Sequence, residues 1–444
     1  MAGASRKNPN VTEKRRRHRR QRAGVIFLTV FVCVTVLGLL TLGGIVLLNG
    51  TTIPAYAETE RESMEEHASE PAGGILTRIE GDTGQYYEAE MAAREAAKEE
   101  EGRYGAILKD AAAMQEIHAV EVLAENPERV TVTFAGDILF DDSYSPMVRL
   151  KQRGGDIAEC FSAELLAEMD AANVFMLNNE FTYTDRGMPT EGKQYTFRAK
   201  PSHVSYLKDL SVDVVSLANN HAFDYGEISL TDTLDTLTEA GIPYVGAGRN
   251  LEEASRPLML MTKGLKIAVV SATQIERQDH PNTRGATEDA PGVFRCWNPQ
   301  KLYETVEQAK TESDFVVVYI HWGTENTTEL DWAQREQVKG LAEAGADLII
   351  GDHPHCLQEV GYVDGVPVIY SLGNFWFNSR ALDTCMVKAV ITPDGLESLQ
   401  FLPARQENCY TSLLMGGEAE RVIAYMNTLS NTAIIEKDGS IRPK

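Results

Sequence analysis

The stretch AGADLIIGDHPH, residues 344–355, indicates the fold of the larger part of this chain. Gly345 ends a helical pattern, and the apolar run at 347–351 shows no alternation between apolar and polar side chains. Such a run is typical of a strand that is buried on both faces of a sheet. His353 and His355 come directly after the run, at the edge where open α/β sheets bind their ligands.

The same succession of apolar runs and helical patterns extends along the chain in both directions. Further predicted strands are VTVTF (around 131–135), VFML (174–177), VDVVSL (212–217), KIAVV (266–270), FVVVYI (315–320), VPVIYSL (366–372) and CMVKAVIT (385–392). Predicted helices cover 161–172, 227–240, 299–313, 331–344 and a short segment near 417–428, before a loose tail. Strands interleaved with helices predict an α/β domain whose sheet faces are covered by helices.

Polar side chains with metal-binding chemistry follow six of these strands. They are Asp137, Glu180 with Asn178 beside it, Asn220 with His221, His321, His353 with His355, and Asn374. Each alone also fits a structural role, such as a turn before a helix or a buried structural histidine. Together, imidazole, carboxylate and amide oxygen form a ligand set suited to Zn, Mn or Fe, in a site of one or two ions. A histidine that does not bind the metal could serve as general acid to a leaving group.

Two segments near the N-terminus predict a membrane anchor. Residues 1–22 carry nine basic side chains and one acid, and residues 23–48 form an uncharged run. As a helix, this run would reach about 39 Å, which is enough to span a bilayer. The basic cluster retains the N-terminal end of the span in the cytoplasm. We therefore expect the part of the chain after the span to lie outside the cytoplasm. Because Ala55-Tyr56-Ala57 is similar to a cleavage site, a cleaved signal peptide is the alternative.

The remaining chain divides by composition into three parts. Residues 49–128 are rich in Ala and Glu and predict an acidic linker with a helical stalk. Residues 129–378 hold the α/β domain, and residues 379–444 are expected to add a strand, a helix and a tail. The net charge is −23, and the basic tail leaves −31 for everything after residue 22. This acid excess argues against a nucleic-acid partner.

Segments between residues 129 and 377 resemble the CapA family of capsule (poly-γ-glutamate) proteins. The matching segments, in the family's order, are FAGDILF, NNEFTY, FRAKP, DVVSLANNHAFDYG, AGIPYVGAGRN, HWGTE, AGADLIIGDHPHCLQ and VIYSLGNFWF. The resemblance implies the fold of the calcineurin-like metallophosphoesterase superfamily, a layered sandwich of mixed β-sheets flanked by helices. It also implies a role in the synthesis or export of poly-γ-glutamate capsule.

The resemblance assigns roles to the polar residues one by one. It implies six metal ligands, which are Asp137, Glu180 as the bridging carboxylate, Asn220, His321, His353 and His355. His221 resembles the catalytic histidine that meets the leaving group. We expect the substrate pocket to be bordered by Asn178, Arg198, Glu325 and Asn374. Leu139 stands where the superfamily has a histidine ligand, so a site with one ion, or with weakly bound metal, is an alternative.

Three functions are open on these observations. The first is an extracytoplasmic metal-dependent hydrolase or transferase, acting on a cell-envelope polymer or on its phosphorylated or amide-linked precursor. The second is a non-enzymatic scaffold subunit of a polymer synthesis and export complex, and Leu139 favours it. The third is a general surface metallophosphatase. The expected partners are the membrane, an anionic envelope polymer or its precursor, and subunits of the polymer synthase or exporter.

Overall fold

A computed structural model describes residues 102–275 and 283–444 of the chain. Within these two ranges, no helix is both long enough and apolar enough to cross a membrane. The basic tail at 1–22, the candidate span at 23–48 and residues 49–101 of the linker lie outside the described residues. The membrane anchor therefore stays a prediction.

Seven strands form the first sheet, and most of its central pairs are parallel. In spatial order they are β1 (Ala119–Glu121), β9 (Leu258–Met261), β10 (Lys266–Thr273), β12 (Phe315–His321), β13 (Leu348–Asp352), β15 (Val366–Ile369) and β14 (Val360–Val363). The pairs β9 with β10 and β14 with β15 are antiparallel.

Eight strands form the second sheet, which is parallel on one side of its centre and antiparallel on the other. In spatial order they are β19 (Tyr410–Leu413), β18 (Gly395–Glu407), β17 (Leu382–Thr392), β2 (Val130–Ile138), β3 (Val174–Asn179), β6 (Val214–Ser216) and β7 (Tyr244–Val245), with β16 (Asn374–Trp376) paired to β2. Strands β2, β3, β6, β7 and β16 pair in parallel, whereas β17, β18 and β19 pair antiparallel.

Short strand pairs and helices complete the described part of the chain. The pairs are β4 (Thr182–Tyr183) with β5 (Arg198–Ala199), β8 (Ala247–Gly248) with β11 (Gly292–Val293), and β20 (Ala433–Ile435) with β21 (Ile441–Pro443). The helices are α1 (Gly105–Leu108), α2 (Ala111–Glu116), α3 (Ser145–Gln152), α4 (Ala163–Ala171), α5 (Ser205–Asp209), α6 (Glu227–Ala240), α7 (Leu251–Ser255), α8 (Gln300–Glu312), α9 (Trp332–Glu343) and α10 (Gly416–Leu429). Single 3₁₀ turns lie at Ile157–Cys160 and Pro201–Val204.

The two sheets pack face to face, and helices cover their outer faces. Phe134 of β2 and Val317 of β12 belong to one buried cluster between the sheets. Leu177 of β3 faces outward into the cluster that includes helices α4 and α6, and Val318 of β12 faces the cluster of α8 and α9. Adjacent residues of a strand point to opposite faces of the sheet. Because both faces are covered here, both residues are buried, which explains the continuous apolar runs. The predicted layered sandwich of mixed sheets with flanking helices is confirmed.

The folded domain extends beyond the predicted limits of 129 and 378 at both ends. Ala119 of β1 pairs with Met259 of β9, so part of the predicted stalk is the edge of the first sheet. Strand β17 pairs with β2 along six residues, so the C-terminal extension is part of the second sheet. The expected loose tail is wrong, because Ala433 and Ile441 are buried in the central cluster through the β20–β21 pair.

At the edge of the second sheet where the polar residues lie, the backbone of β2 closely approaches the backbone just before β16. A Cβ added at Gly136 would lie 1.9 Å from the carbonyl oxygen of Gly373. Gly373 itself has a φ of 70°, a conformation that glycine adopts without strain. The approach places Asn374 opposite Asp137 in the parallel register of β16 and β2.

The substitution Gly136→Ala is therefore expected to destabilise the domain, because the added methyl meets a backbone oxygen that cannot rotate away. Overpacking of a core typically costs about 1–3 kcal/mol, and urea unfolding would measure the change. Gly417→Ala in α10 is the control, because its Cβ would meet nothing within 4 Å. Alanine is favoured over glycine in a helix by up to about 1 kcal/mol. Equal stability of the two variants would contradict the close approach.

Candidate metal centre

Parallel strand pairing brings the polar strand ends of both sheets to one place. Asp137 on β2 is aligned with Asn178 on β3, and Asn178 is aligned with Ser216 on β6. In the other sheet, His321 on β12 is aligned with Asp352 on β13. The Tyr319 hydroxyl donates to the carbonyl oxygen of Ala135 at 2.8 Å, which ties the two sheets together beneath this edge.

Most of these side chains are shut off from solvent. The buried polar members are Asp137, Asn178, Glu180, Asn220, His221, His321, Asp352, His353 and Asn374. The side chain of His355 is 15% exposed, which makes it the most accessible histidine of the group. So many buried polar groups within one domain require hydrogen bonds or a cation to balance them.

The ring of His321 is held with one nitrogen directed toward other electron-pair donors. Its Nδ1 lies 2.8 Å from Oδ1 of Asp352. Its Nε2 lies 2.9 Å from Oδ1 of Asn220 and 3.0 Å from Nδ1 of His353. With Asp352 ionised, as it would be beside a bound cation, the ring proton stays on Nδ1, and Nε2 then presents a lone pair to the other two atoms. A carboxylate behind a histidine in this way is the usual partner of a metal-binding imidazole.

Glu180 lies at the centre of the histidines. Its Oε1 is 3.7 Å from Nε2 of His321 and 3.9 Å from Nε2 of both His221 and His355. Among the described residues, neither of its buried oxygens has a hydrogen-bond partner, and the same holds for Oδ2 of Asp352. Burial, followed by the charges of Asp137 and Asp352, raises the pKa of Glu180 well above its ordinary value. A cation bound among these atoms would satisfy them, so the residues present fit a metal ion.

A second group of donors adjoins the first. Nδ1 of His355 lies 3.0 Å from Oδ2 of Asp137 and 2.8 Å from Oδ1 of Asn374. Oδ1 of Asp137 accepts a hydrogen bond from the Asn178 amide at 2.9 Å. Burial opposes the charge on His355, but its contacts with Asp137 outweigh burial and raise the pKa of the imidazole.

Within residues 102–275 and 283–444, two sets of three residues offer ligand atoms that all lie within 4.8 Å of one another. One set is Glu180, His353 and His355, and the other is Asp137, His321 and Asp352. Burial lowers the pKa of His321 to about 3 and that of His353 well below its ordinary value. Both rings are therefore neutral at neutral pH, which is the form that binds a metal.

The His-Pro-His segment reaches the site with an unusual backbone. His353 has a φ of 97° and His355 a φ of 57°, so both occupy the left-handed region. An extended segment would direct alternate side chains to one side, but here the two rings converge through turns instead. Left-handed conformations of residues with a side chain cost about 1–3 kcal/mol each and cluster at functional sites.

His221 is positioned by a neighbouring carboxylate and faces Glu180 with its other nitrogen. Its Nδ1 lies 2.7 Å from Oδ2 of Asp224, which is completely buried. Asn219 holds the preceding turn, because its Oδ1 accepts a hydrogen bond from the backbone N–H of His221 at 3.0 Å. Burial lowers the pKa of His221 to about 4, although Asp224 opposes this effect. The ring is thus neutral with Nε2 directed toward the ligand cluster.

Comparison with known proteins identifies the family of this chain. Residues 131–379 match the family model described as Bacterial capsule synthesis protein PGA_cap. The chain belongs to this family. The PGA_cap family is part of the metallophosphoesterase-like superfamily.

Three curated relatives are similar over more than half of the chain. The PGA biosynthesis protein CapA of Bacillus subtilis (strain 168) is 29% identical over 280 residues, which cover 62% of this chain and 71% of that protein. The capsule biosynthesis protein CapA of Bacillus anthracis is 29% identical over 284 residues, covering 62% and 67%. A probable polyglutamine synthesis accessory protein of Mycobacterium tuberculosis (strain ATCC 25618 / H37Rv) is 29% identical over 289 residues, covering 57% and 75%.

The four residues expected to border the substrate pocket lie in different settings. Asn374 contacts His355, and Asn178 lies inside the hydrogen-bond network between Asp137 and Asn219. Glu325 is exposed, and its charge contributes to the pKa of Glu180 and His355, so it lies near the site. The exposed guanidinium of Arg198 lies over the ring of Tyr225 at 4.5 Å from its centroid.

Two members of this PGA_cap site were missed by reasoning from the sequence. Asp352 stands between Gly351 and His353, where a Gly-Asp pair is equally typical of a turn. Asp224 lies three residues after His221, but a single acidic residue in a loop does not by itself indicate a functional role. Leu139, at the position of the absent histidine ligand, is fully buried in the outer core. In the structure, Asp352 joins Asp137 and His321 in one set of candidate ligands.

Metal binding by the metal-free chain is expected to release protons. Burial holds the pKa of Glu180 and Asp352 well above ordinary values, whereas ligands bind as anions. Release should fall as the pH rises, because less of each carboxyl is then protonated in the metal-free chain. Calorimetry with Mn²⁺ in buffers of different ionisation enthalpy measures it. Glu180→Gln should reduce the release and weaken binding, whereas Glu397→Gln, at an exposed ion pair with Arg129, should change neither. Unchanged release from Glu180→Gln would refute the central position of Glu180.

Proposed function

We propose that this chain is a membrane-anchored capsule protein of the CapA type, with a metal-dependent hydrolase or transferase site outside the cytoplasm. Its substrate would be an anionic envelope polymer of the poly-γ-glutamate kind, or the phosphorylated or amide-linked precursor of that polymer. The observation that carries the proposal is the buried Glu180, whose oxygens lack hydrogen-bond partners among the described residues and face three imidazoles. A domain with only a scaffolding role gains nothing from such a group.

The proposed ligands are the two adjoining sets of donors. They are Asp137, Glu180, Asn220, His321, His353 and His355, with Asp352 supporting His321 or binding directly. Imidazole mixed with oxygen donors suits Mn, Fe or Zn. When bound, such an ion polarises a phosphoryl or acyl oxygen and lowers the pKa of a coordinated water.

His221 is the proposed general acid. An ionised Asp224 accepts the hydrogen bond from Nδ1 and holds the plane of the ring. Nε2, 3.9 Å from Oε1 of Glu180 and unprotonated in the neutral ring, would first take up a proton from water and then give it to the leaving group, while Asp224 stabilises the imidazolium formed in between. The ring of Phe197 packs against the imidazole, with centroids 4.3 Å apart, and limits its rotation.

Charge supports a confined contact with the polymer. The chain carries a net −31 after residue 22, so its surface as a whole repels a polyanion. Attraction would be local, from the bound cation and from Arg198, which we expect to border the pocket. The names of the relatives from Bacillus subtilis and Bacillus anthracis describe biosynthesis of PGA and of capsule, and we extend that role to this chain.

A scaffold in a synthesis and export complex is the competing function, and Leu139 is the observation that favours it. Leu139 has an aliphatic side chain without a donor atom, and it is completely buried among apolar side chains. It therefore cannot bind a metal. Against the scaffold stands the neighbouring Asp352, whose Oδ2 is buried and has no partner among the described residues.

The variant His221→Ala separates the two functions. Loss of general acid catalysis typically reduces turnover by about 10²–10⁴-fold, so a strain that depends on this variant should make little polymer. Metal content should stay at the wild-type value, because Asp137, Glu180 and His321 are unchanged. Polymer yield in a deletion strain complemented with the full-length chain is the measurement. Full polymer production by His221→Ala would leave the scaffold as the better account.

A further inference from the structure

Lys193 is a lysine whose charge is buried beside the candidate site. It comes from the segment between β4 and β5, where most neighbouring residues are exposed. Its side chain is only 4% exposed and forms an ion pair with Oδ1 of Asp224, which is 0% exposed. Its Nζ also donates to the carbonyl oxygen of Asn220, a proposed metal ligand. A buried lysine in a surface segment calls for an explanation, because burial of an ammonium group is costly unless it is fully paired.

The partners of Asp224 account for both of its oxygens. Lys193 occupies Oδ1, while Oδ2 accepts from the backbone N–H of Phe197 at 2.6 Å and lies 2.7 Å from Nδ1 of His221. With two other donors holding it, the carboxylate cannot rotate away from His221. Lys193 supplies the positive charge that keeps this carboxylate an acceptor in a buried setting.

The same segment also fixes the ring of His221 from another direction. Phe197 lies four residues after Lys193, and its ring packs on the imidazole. Thr190, three residues before Lys193, donates its backbone N–H to the carbonyl oxygen of Asp224 at 2.8 Å. The segment therefore contacts the His221 loop at three points. Of these three contacts, the one made by Lys193 is an ion pair.

We propose that Lys193 is a positioning residue, which locks the Asp224 carboxylate and thereby holds His221 in the tautomer that leaves Nε2 directed at the ligand cluster. The proposal deepens the proposed function, because it rests on His221 as the acting group. Lys193 does not touch the reacting atoms. It acts through Asp224, and it joins the segment at 184–197 to the loop that carries Asn220.

The surface lysine Lys200 provides a matched control. It lies just after the same segment and also pairs with an aspartate, Asp142, at 3.0 Å. Its side chain is 58% exposed, so this pair contributes little and does not orient a buried group. The change Lys200→Met removes the same functional group without touching Asp224 or His221.

The tautomer of His221 tests the proposal without substrate or metal. In the full-length chain labelled with ¹⁵N-histidine, the His221 signal, assigned by its loss in His221→Gln, should report a proton on Nδ1. Lys193→Met should shift the signal toward a mixture of tautomers, whereas Lys193→Arg and Lys200→Met should keep the wild-type spectrum. Lys193→Gln serves the same purpose as Lys193→Met if the latter does not fold. A wild-type tautomer in the folded Met or Gln variant would overturn the proposal.

Turnover gives the second readout, with bis-p-nitrophenyl phosphate and Mn²⁺ as probes. Lys193→Met should lower kcat by about 10–100-fold, as expected for a residue behind the reacting group, with KM and bound Mn²⁺ unchanged. A parallel loss of Mn²⁺ would indicate a purely structural role and would contradict the proposal. If the wild-type chain neither binds Mn²⁺ nor turns over the probe, the proposed function fails, and the tautomer measurement alone then decides the role of Lys193.

Discussion

A carboxylate buried without a hydrogen-bond donor, Glu180, is the constraint around which the domain is organised. In the effective dielectric of a protein interior, an unbalanced charge costs several kcal/mol, so Glu180 either retains a proton or binds beside a cation. Two of the imidazole nitrogens nearest to it belong to His221 and His321, which are neutral at neutral pH because burial lowers their pKa to about 4 and about 3. The third belongs to His355, which is paired with Asp137. Neutral nitrogens cannot neutralise Glu180, but they can share a metal ion with it. One ion would relieve the carboxylate and the facing lone pairs of His321 and Asn220 together.

Much of this arrangement could be predicted from local sequence. Continuous apolar runs marked β2, β3, β10, β12, β13 and β15 because these strands are buried on both faces. Polar residues at the ends of several runs marked the site, since parallel strands end at a common edge. The segments with helical patterns also agree with α4, α6, α8, α9 and α10. These predictions depend only on the periodicity of apolar residues and on the glycines that end helices. Both can be recognised within short segments of the chain.

The rest depends on contacts between distant segments. The local patterns did not show which strands belong to which of the two sheets, so the alignment of His321 with Asp352 and of Asp137 with Asn374 was not foreseen. Asp224 and Lys193 act as a pair separated by 31 residues, and neither has a recognisable local pattern. The antiparallel strand β17 was predicted at 385–392, whereas β18 was not, because β18 mixes exposed and buried positions. Membership of β1 in the first sheet could not be read from an Ala- and Glu-rich context.

Metal content of the full-length chain tests the central claim most directly. After equilibration with Mn²⁺ or Zn²⁺ and removal of free ions, elemental analysis should find at least one bound ion per chain. The double substitution His353→Ala with His355→Ala should abolish it, whereas His203→Ala, at a histidine that contacts Asp142 instead, should retain the wild-type content. A folded wild-type chain that holds no divalent metal, or a double variant that holds as much as wild type, would contradict the account.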